Sequence, residues 1–173
     1  MRNLNHEIFF TTTQSETPVQ PFGDSSDYDV SSDGSLYAFV SKAPQLNKAN
    51  YTASYIYVGS FTSSDVAVAI NGPGSVADTA GHRGASSQPS FSADSRKLAY
   101  VQQDGVDYES DRLILYTVDV TFGQTGITAG EPKSLSAGFD RWVFGPLIWA
   151  ADSSSIYATA EDYARVKVFN FPT

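Results

Sequence analysis

An all-β fold made of short antiparallel strands is what this 173-residue sequence predicts, and three observations predict it. Apolar and polar residues alternate in segments of four to eight, each bounded by Gly, Pro, Asp, Asn or Ser, which is the pattern of half-buried strands joined by tight turns. Charged residues make up only 17% of the chain while aromatics reach 13%, a composition that favours pleated surfaces and disfavours disorder. Above all, one phrase occurs three times: a bulky apolar residue, an Asp three positions later, and an apolar strand soon after. The copies begin at Val30, Phe91 and Trp149 and place Asp33, Asp94 and Asp152 61 and 58 positions apart. A repeat of that length built from hairpins is the signature of β-propeller blades, because a single four-stranded sheet cannot bury both its faces without neighbours. The expectation is a partial propeller of nearly three four-stranded antiparallel blades.

The elements follow in order. Asp27 to Val30 forms a first strand, Ser32-Asp33-Gly34 a tight turn in which Gly supplies a positive φ, and Leu36 to Val40 the returning strand. A polar connection over Ser41 to Asn50 leads to a third strand at Ser54 to Val58 and a fourth at Val66 to Ile70, ended by Asn71-Gly72-Pro73-Gly74. The second unit repeats this with Gln88 to Ser92, Lys97 to Gln102, Leu113 to Val120 and a weaker Pro132 to Leu135. The third has Leu147 to Ala150, Ser155 to Thr159 and Val166 to Phe171, without a fourth strand. Ile8 to Thr12 reads as the outer strand of a preceding blade. The expected units are residues 1–26, an N-terminal segment, then blades at 27–84, 85–143 and, incomplete, 144–173. Both ends read as cut.

Charge and composition exclude several functions. A formal charge of −8, with eleven Lys and Arg scattered along the chain, disfavours a nucleic-acid partner. No run approaches the roughly 18–20 apolar residues of a membrane-spanning helix, so no membrane partner is expected, and residues 1–10 lack the apolar core of a secretory signal. With no Cys there is no disulfide, thiol nucleophile or thiolate metal site. Asp24, Asp27, Asp29 and Asp33 crowd ten residues but miss the alternation of a calcium loop, and Asp104, Asp107, Glu109 and Asp111 read as a solvated loop. Neither a metal nor any other cofactor is expected.

Longer stretches are more specific. Thr17 to Val30, Ser41 to Pro44 with Lys48 to Tyr57, Gly84 to Ser92, Tyr108 to Arg112 and Ala160 to Arg165 resemble the fungal secreted dipeptidyl peptidase V enzymes, of the prolyl oligopeptidase family of serine peptidases. Two departures stand out: Ala164 where that motif has Gly, and Trp142-Val143 after Asp140-Arg141 where it has Ser-Pro. The resemblance implies an N-terminal propeller joined to a C-terminal α/β-hydrolase domain, a peptide substrate and a secreted protein. Such chemistry needs a Ser on a sharp elbow, a His base and an orienting acid. The sequence contains no Gly-x-Ser-x-Gly, and His6 and His82 fall in a start segment and a Gly-rich loop, so no catalytic residue is assigned.

The segment's expected role is therefore to gate access to a hydrolase domain absent from these residues. A dipeptidyl peptidase must hold a protonated substrate amine, and a propeller carboxylate can do so through a charge-assisted hydrogen bond. Glu109 and Glu161 are the candidates for substrate binding. The pairs Asp111-Arg112, Asp140-Arg141 and Asp162 with Arg165 are expected to be structural. Asn50-Tyr51-Thr52 is a glycosylation sequon, with Asn50 the acceptor. The rival reading is a stand-alone propeller-like binding or scaffold module that never had a hydrolase. An open ring of so few blades is also expected to leave apolar faces that drive association.

Overall fold

The structure, a computed structural model, describes residues 28–43, 51–63, 65–72, 84–103, 105 and 110–173. Among them every regular element is a strand, and the strands form three antiparallel sheets in chain order. The first sheet is β1 (Tyr28–Val30), β2 (Leu36–Lys42), β3 (Ser54–Ser60) and β4 (Val68–Ala69), paired in that order. The second is β5 (Ser86–Phe91), β6 (Lys97–Gln103), β7 (Leu113–Gly123) and β8 (Gly126–Ala129), with β9 (Lys133–Ser134) also pairing with β7. The third is β10 (Phe144–Trp149), β11 (Ser155–Asp162) and β12 (Arg165–Pro172). None of the sheets closes on itself, and the first strands β1, β5 and β10 pack side by side, as in part of a propeller.

Each sheet is held to the next by alternate residues of its strands. Leu36, Ala38 and Val40 of β2 with Ile56 and Val58 of β3 face the second sheet, where they meet Leu98, Tyr100, Ile114, Tyr116 and Val118. The opposite face of the second sheet presents Ala99, Val101 and Leu115 to Leu147, Ile156, Ala158 and Phe171 of the third. A third cluster, Tyr37, Phe39, Tyr55 and Tyr57, lies on the other face of the first sheet, with Phe39 stacked on Tyr57. Period-two alternation thus becomes sheet-on-sheet packing, with apolar burial on both faces of the middle sheet.

The three Asp residues occupy equivalent turns. In the first, Ser31 and Ser35 hydroxyls donate to Asp33 Oδ1 at 2.7 Å each, and the Ser35 amide donates to it at 2.9 Å. In the second, Ser92 Oγ donates to Asp94 Oδ1 at 2.6 Å and the Arg96 amide at 3.1 Å. In the third, Ser154 donates to Asp152 Oδ1 through its amide and its hydroxyl, but Ala150 stands where Ser31 and Ser92 stand. The residue after each Asp has a positive φ: Gly34 at 71°, Ser95 at 60° and Ser153 at 58°.

Several boundaries differ from the sequence expectation for identifiable reasons. Asp27, Ile8 to Thr12 and much of the 41–50 connection lie outside the described residues. β4 pairs only over Val68–Ala69, and beyond it the Ile70 amide still donates to Ile56 O. β5 and β10 begin earlier than alternation suggests, since each carries a register shift, at Ser87/Ser90 and at Phe144/Ile148, that breaks the period-two pattern. β7 runs on past Val120 into a hairpin with β8, clasped by Thr121 and Thr128 hydroxyls 2.6 Å apart.

Candidate functional site

β11 and β12 run antiparallel in register from Ser155↔Pro172 to Asp162↔Arg165, so a two-residue turn joins them. Its residues Tyr163 and Ala164 both have positive φ, 50° and 57°, the conformation of a type I′ hairpin turn that favours Asn-Gly. Ala164 therefore holds a left-handed position without glycine's freedom. The tight turn brings the ends of both strands up against the segment that leads into β10, whose residues Asp140, Arg141, Trp142 and Phe144 form a cleft of about 410 Å3 with Glu161.

Within this cleft the charges are not equivalent. Asp162 accepts Arg141 Nη2 at 2.8 Å and Lys167 Nζ at 2.5 Å, and the Lys167 hydrogen bond, with the positive charges of Lys167 and Arg141, holds its carboxyl below the ordinary carboxylate range. The expected partner Arg165 is thus replaced by Arg141 and Lys167: Lys167 lies on the same β12 face two residues further on, and Arg141 arrives from the preceding connection. Lys167 also lies over the Tyr163 ring, 5.8 Å from its centroid. Glu161, exposed on β11, has neither a hydrogen bond nor an ion pair among the described residues.

Register explains why. Glu161 occupies the position of Lys42 in the first sheet and Gln103 in the second. Lys42 Nζ donates to Thr52 O at 3.1 Å and Gln103 Nε2 to Asp111 O at 3.2 Å, so both side chains tie down the connection that follows their strand. A carboxylate only accepts, and the β11–β12 turn presents it no long connection to tie. The third repeat therefore leaves an acceptor at a cleft where the other two spend a donor on structure. A comparison of the repeats by register, rather than by apolar pattern, carries this signal in the sequence.

The remaining expected site residues are placed as follows. Glu109 and Asn50 lie outside the described residues, as do His6 and His82. Asp111 accepts the amides of Gly105 and Arg112, and Arg112 Nη1 donates to Phe139 O at 3.1 Å, so this pair braces the loop that precedes β7. Among the described residues no group of three or more His, Asp or Glu is arranged to hold a metal ion.

A second cleft, of about 710 Å3, opens at the opposite end of the strands and is lined by Asp33, Asp94, Ser95, Arg96, Asp119 and Phe122 among others. Its carboxylates are occupied: Asp33 and Asp94 by their own turns, and Asp119 by Lys97 at 3.1 Å.

No family model matches the chain. Curated proteins do. A dipeptidyl-peptidase 5 of Trichophyton tonsurans is 39% identical over 174 aligned positions, which cover 99% of this chain and 22% of that protein. A probable dipeptidyl-peptidase 5 of Arthroderma benhamiae is 41% identical over 159 positions, and one of Aspergillus fumigatus 40% identical over 159, each covering 91% of this chain and 21% of the relative. The chain spans about a fifth of the length of the curated relatives it matches. Along nearly its whole length it is a homologue of one segment of the fungal dipeptidyl-peptidase 5 proteins.

Proposed function

We propose that these sheets are part of the propeller of a secreted serine peptidase of the dipeptidyl-peptidase 5 kind, where they shape and gate the approach of peptides to an α/β-hydrolase domain lying C-terminal to them. The observation that carries the reading is identity of about 40% along nearly the whole chain to proteins of that name. The Glu161 carboxylate, without a partner among the described residues, supports the finer part. A carboxylate at the rim of an aromatic-lined cleft can take the ammonium of a peptide N-terminus in a charge-assisted hydrogen bond, and Trp142 and Phe144 offer apolar walls to the adjoining side chain. Glu109 is the second candidate for this role, and Asn50 the proposed glycan acceptor of a secreted form.

The test is a chimera in which these 173 residues replace the matching segment of a fungal dipeptidyl-peptidase 5. Glu161→Gln in that chimera is expected to raise KM for substrates with a free N-terminal amine by roughly 10–100-fold, the worth of a hydrogen bond to a charged group. Substrates with a blocked amine should be unaffected. An equal change for both kinds would remove Glu161 from substrate recognition. The 173 residues by themselves are expected to release no chromophore from dipeptide-linked substrates, since they hold no elbow serine.

A further inference from the structure

Gln88 is unfavourably placed in two respects. Its backbone is left-handed, at φ 57°, where glycine rather than a long side chain is at ease. Its Oε1 is buried and has no hydrogen-bond partner among the described residues. Both features cost stability, so packing alone does not favour glutamine here. The conformation comes from the irregularity in β5: Ser87 pairs with Val101 and Ser90 with Ala99, so Gln88 and Pro89 together oppose Tyr100. A bulge of this kind re-aims a side chain that strand alternation would place elsewhere.

Re-aimed, Gln88 meets β10. It follows Ser87 as Gly145 follows Phe144, and the partners of those two residues, Val101 and Thr159, hold the same place in the repeat. The Gln88 amide group fills the space that a Cβ on Gly145 would take, so the approach depends on glycine at that position. From the other side the Thr159 hydroxyl donates to Phe144 O at 3.0 Å and reaches Gly145 O at 3.4 Å. Phe144 and Gly145 are therefore held between Gln88 of the second sheet and Thr159 of the third. Further along β10, Ser90 Oγ donates to Leu147 O at 3.2 Å and Trp149 Nε1 donates to Ser90 O at 2.9 Å. Phe144 is a wall of the cleft that contains Glu161. We propose that Gln88 is a positioning residue for this cleft: pressed against Gly145, it sets the place of Phe144 relative to Glu161, and with it the size of the N-terminal side chain that a bound peptide can seat. This rests on reading the cleft as the site of a peptide N-terminus.

Two measurements test it. In thermal melts of the 173-residue chain, Gly145→Ala sets a methyl group against the Gln88 amide and is expected to lower Tm by about 3–8 °C, as overpacking does. In a Gln88→Ala background the same change should lower Tm less than half as much, because Leu147 N, 3.1 Å from that methyl, crowds it less. Equal shifts in the two backgrounds would remove the contact and the proposal with it. In the chimera with a fungal dipeptidyl-peptidase 5, Gly145→Ala pushes Phe144 away from β5 and towards Glu161. KM is then expected to rise about tenfold for dipeptide chromogens beginning with phenylalanine and less than about twofold for those beginning with alanine, with kcat unchanged. Adding Gln88→Ala should return the ratio of the two KM values to within about twofold of the parent's. A ratio that Gly145→Ala leaves unmoved, or that Gln88→Ala does not rescue, would overturn the positioning role, since a merely structural contact does not sort substrates by size. Should Gly145→Ala fail to fold, Gln88→Ala alone decides: it widens the cleft and is expected to lower the ratio about threefold, and an unchanged ratio refutes the proposal. Glu161→Gln is read on the same chimera with free and blocked amines. A shifted size ratio without a Glu161 effect removes the amine contact and keeps Gln88; a Glu161 effect without a shifted ratio removes Gln88 alone.

Discussion

Asp33 and Ser95 lie 62 residues apart in the chain, yet the Asp33 amide donates to the Ser95 hydroxyl at 3.2 Å, joining the turn of one sheet to the turn of the next. Ser95 is in the left-handed region, at φ 60°, so its side chain buys this contact with backbone strain. Ser95→Ala removes the acceptor and keeps the strain, and is expected to cost about 1 kcal/mol. Ser95→Gly removes both and should cost at most about 0.5 kcal/mol, since glycine tolerates that φ. Urea unfolding of the two variants separates bond from strain; an alanine variant as stable as the parent would show that the bond contributes nothing.

Ala164 holds the second left-handed position of the β11–β12 turn, at φ 57°. Ala164→Gly is expected to stabilise the protein by about 1 kcal/mol, the typical steric penalty for a side chain in that region, less the entropy glycine loses on folding. Ala164→Val, β-branched, should be clearly destabilising. Thermal melts that rank Val above Gly would contradict the turn geometry.

The Asp turns predict a defined acid dependence. Hydrogen bonds from the Ser35 amide and from the Ser31 and Ser35 hydroxyls lower the Asp33 carboxyl from 3.8 to about 2 in the folded state. A folded value below the unfolded one means the folded state favours the ionised form. Its contribution is complete above about pH 4 and lost as the pH falls towards 2. Asp94 is lowered chiefly by the Ser92 hydroxyl and Asp152 by the Ser154 hydroxyl, so all three act in the same direction. Melting temperatures between pH 5 and 2 should therefore decline, and Asp33→Asn should flatten part of that decline. An identical slope in the variant would show that the turn does not discriminate between the two protonation states.

Tyr100 is completely buried between the first two sheets, stacked against Tyr116 at 5.7 Å, and burial drives its hydroxyl pKa far up. Asn71 is the polar side chain beside it and opposes that rise a little, but its amide already accepts from Ile56 N and donates to Ser86 Oγ, and among the described residues the Tyr100 hydroxyl makes no hydrogen bond of normal geometry. Tyr100→Phe removes an unsatisfied polar atom and is expected to be neutral or stabilising by about 1 kcal/mol. Leu98→Ala in the same cluster should cost about 2–5 kcal/mol through the cavity it leaves. A large loss in the phenylalanine variant, measured by denaturant unfolding, would reveal a partner for the hydroxyl.

Period-two alternation and the Asp-led turns carry most of the architecture, because strand pairing and φ > 0 turns are local demands on a few adjacent residues. Leu36 to Val40 and Leu113 to Val120 are legible for that reason. The β7–β8 hairpin was not expected, since Thr121 to Ala129 alternates too weakly, although its Thr residues and the Gly123 to Gly126 turn are a usable signal. Nor does sequence spacing find the partners of Asp162. Arg165 sits opposite it across the turn, whereas Arg141 is 21 positions earlier and meets it only because β10 returns beside β11.

From its residues alone the chain is an all-β repeat with no nucleophile elbow, and its stretches of family-specific wording point to fungal dipeptidyl peptidases. Those properties lie in short runs of sequence. Which charges are spent and which remain is a property of the assembled sheets. Lys42, Gln103 and Glu161 share one position in the repeat, but the acceptor-only carboxylate and the two-residue turn it meets leave Glu161 without a side-chain partner among the described residues. Val168 and Leu115 are equally apolar in sequence; Leu115 is covered by the third sheet, whereas Val168 is 69% exposed. Burial and pairing depend on what packs across a face, and no local pattern encodes that.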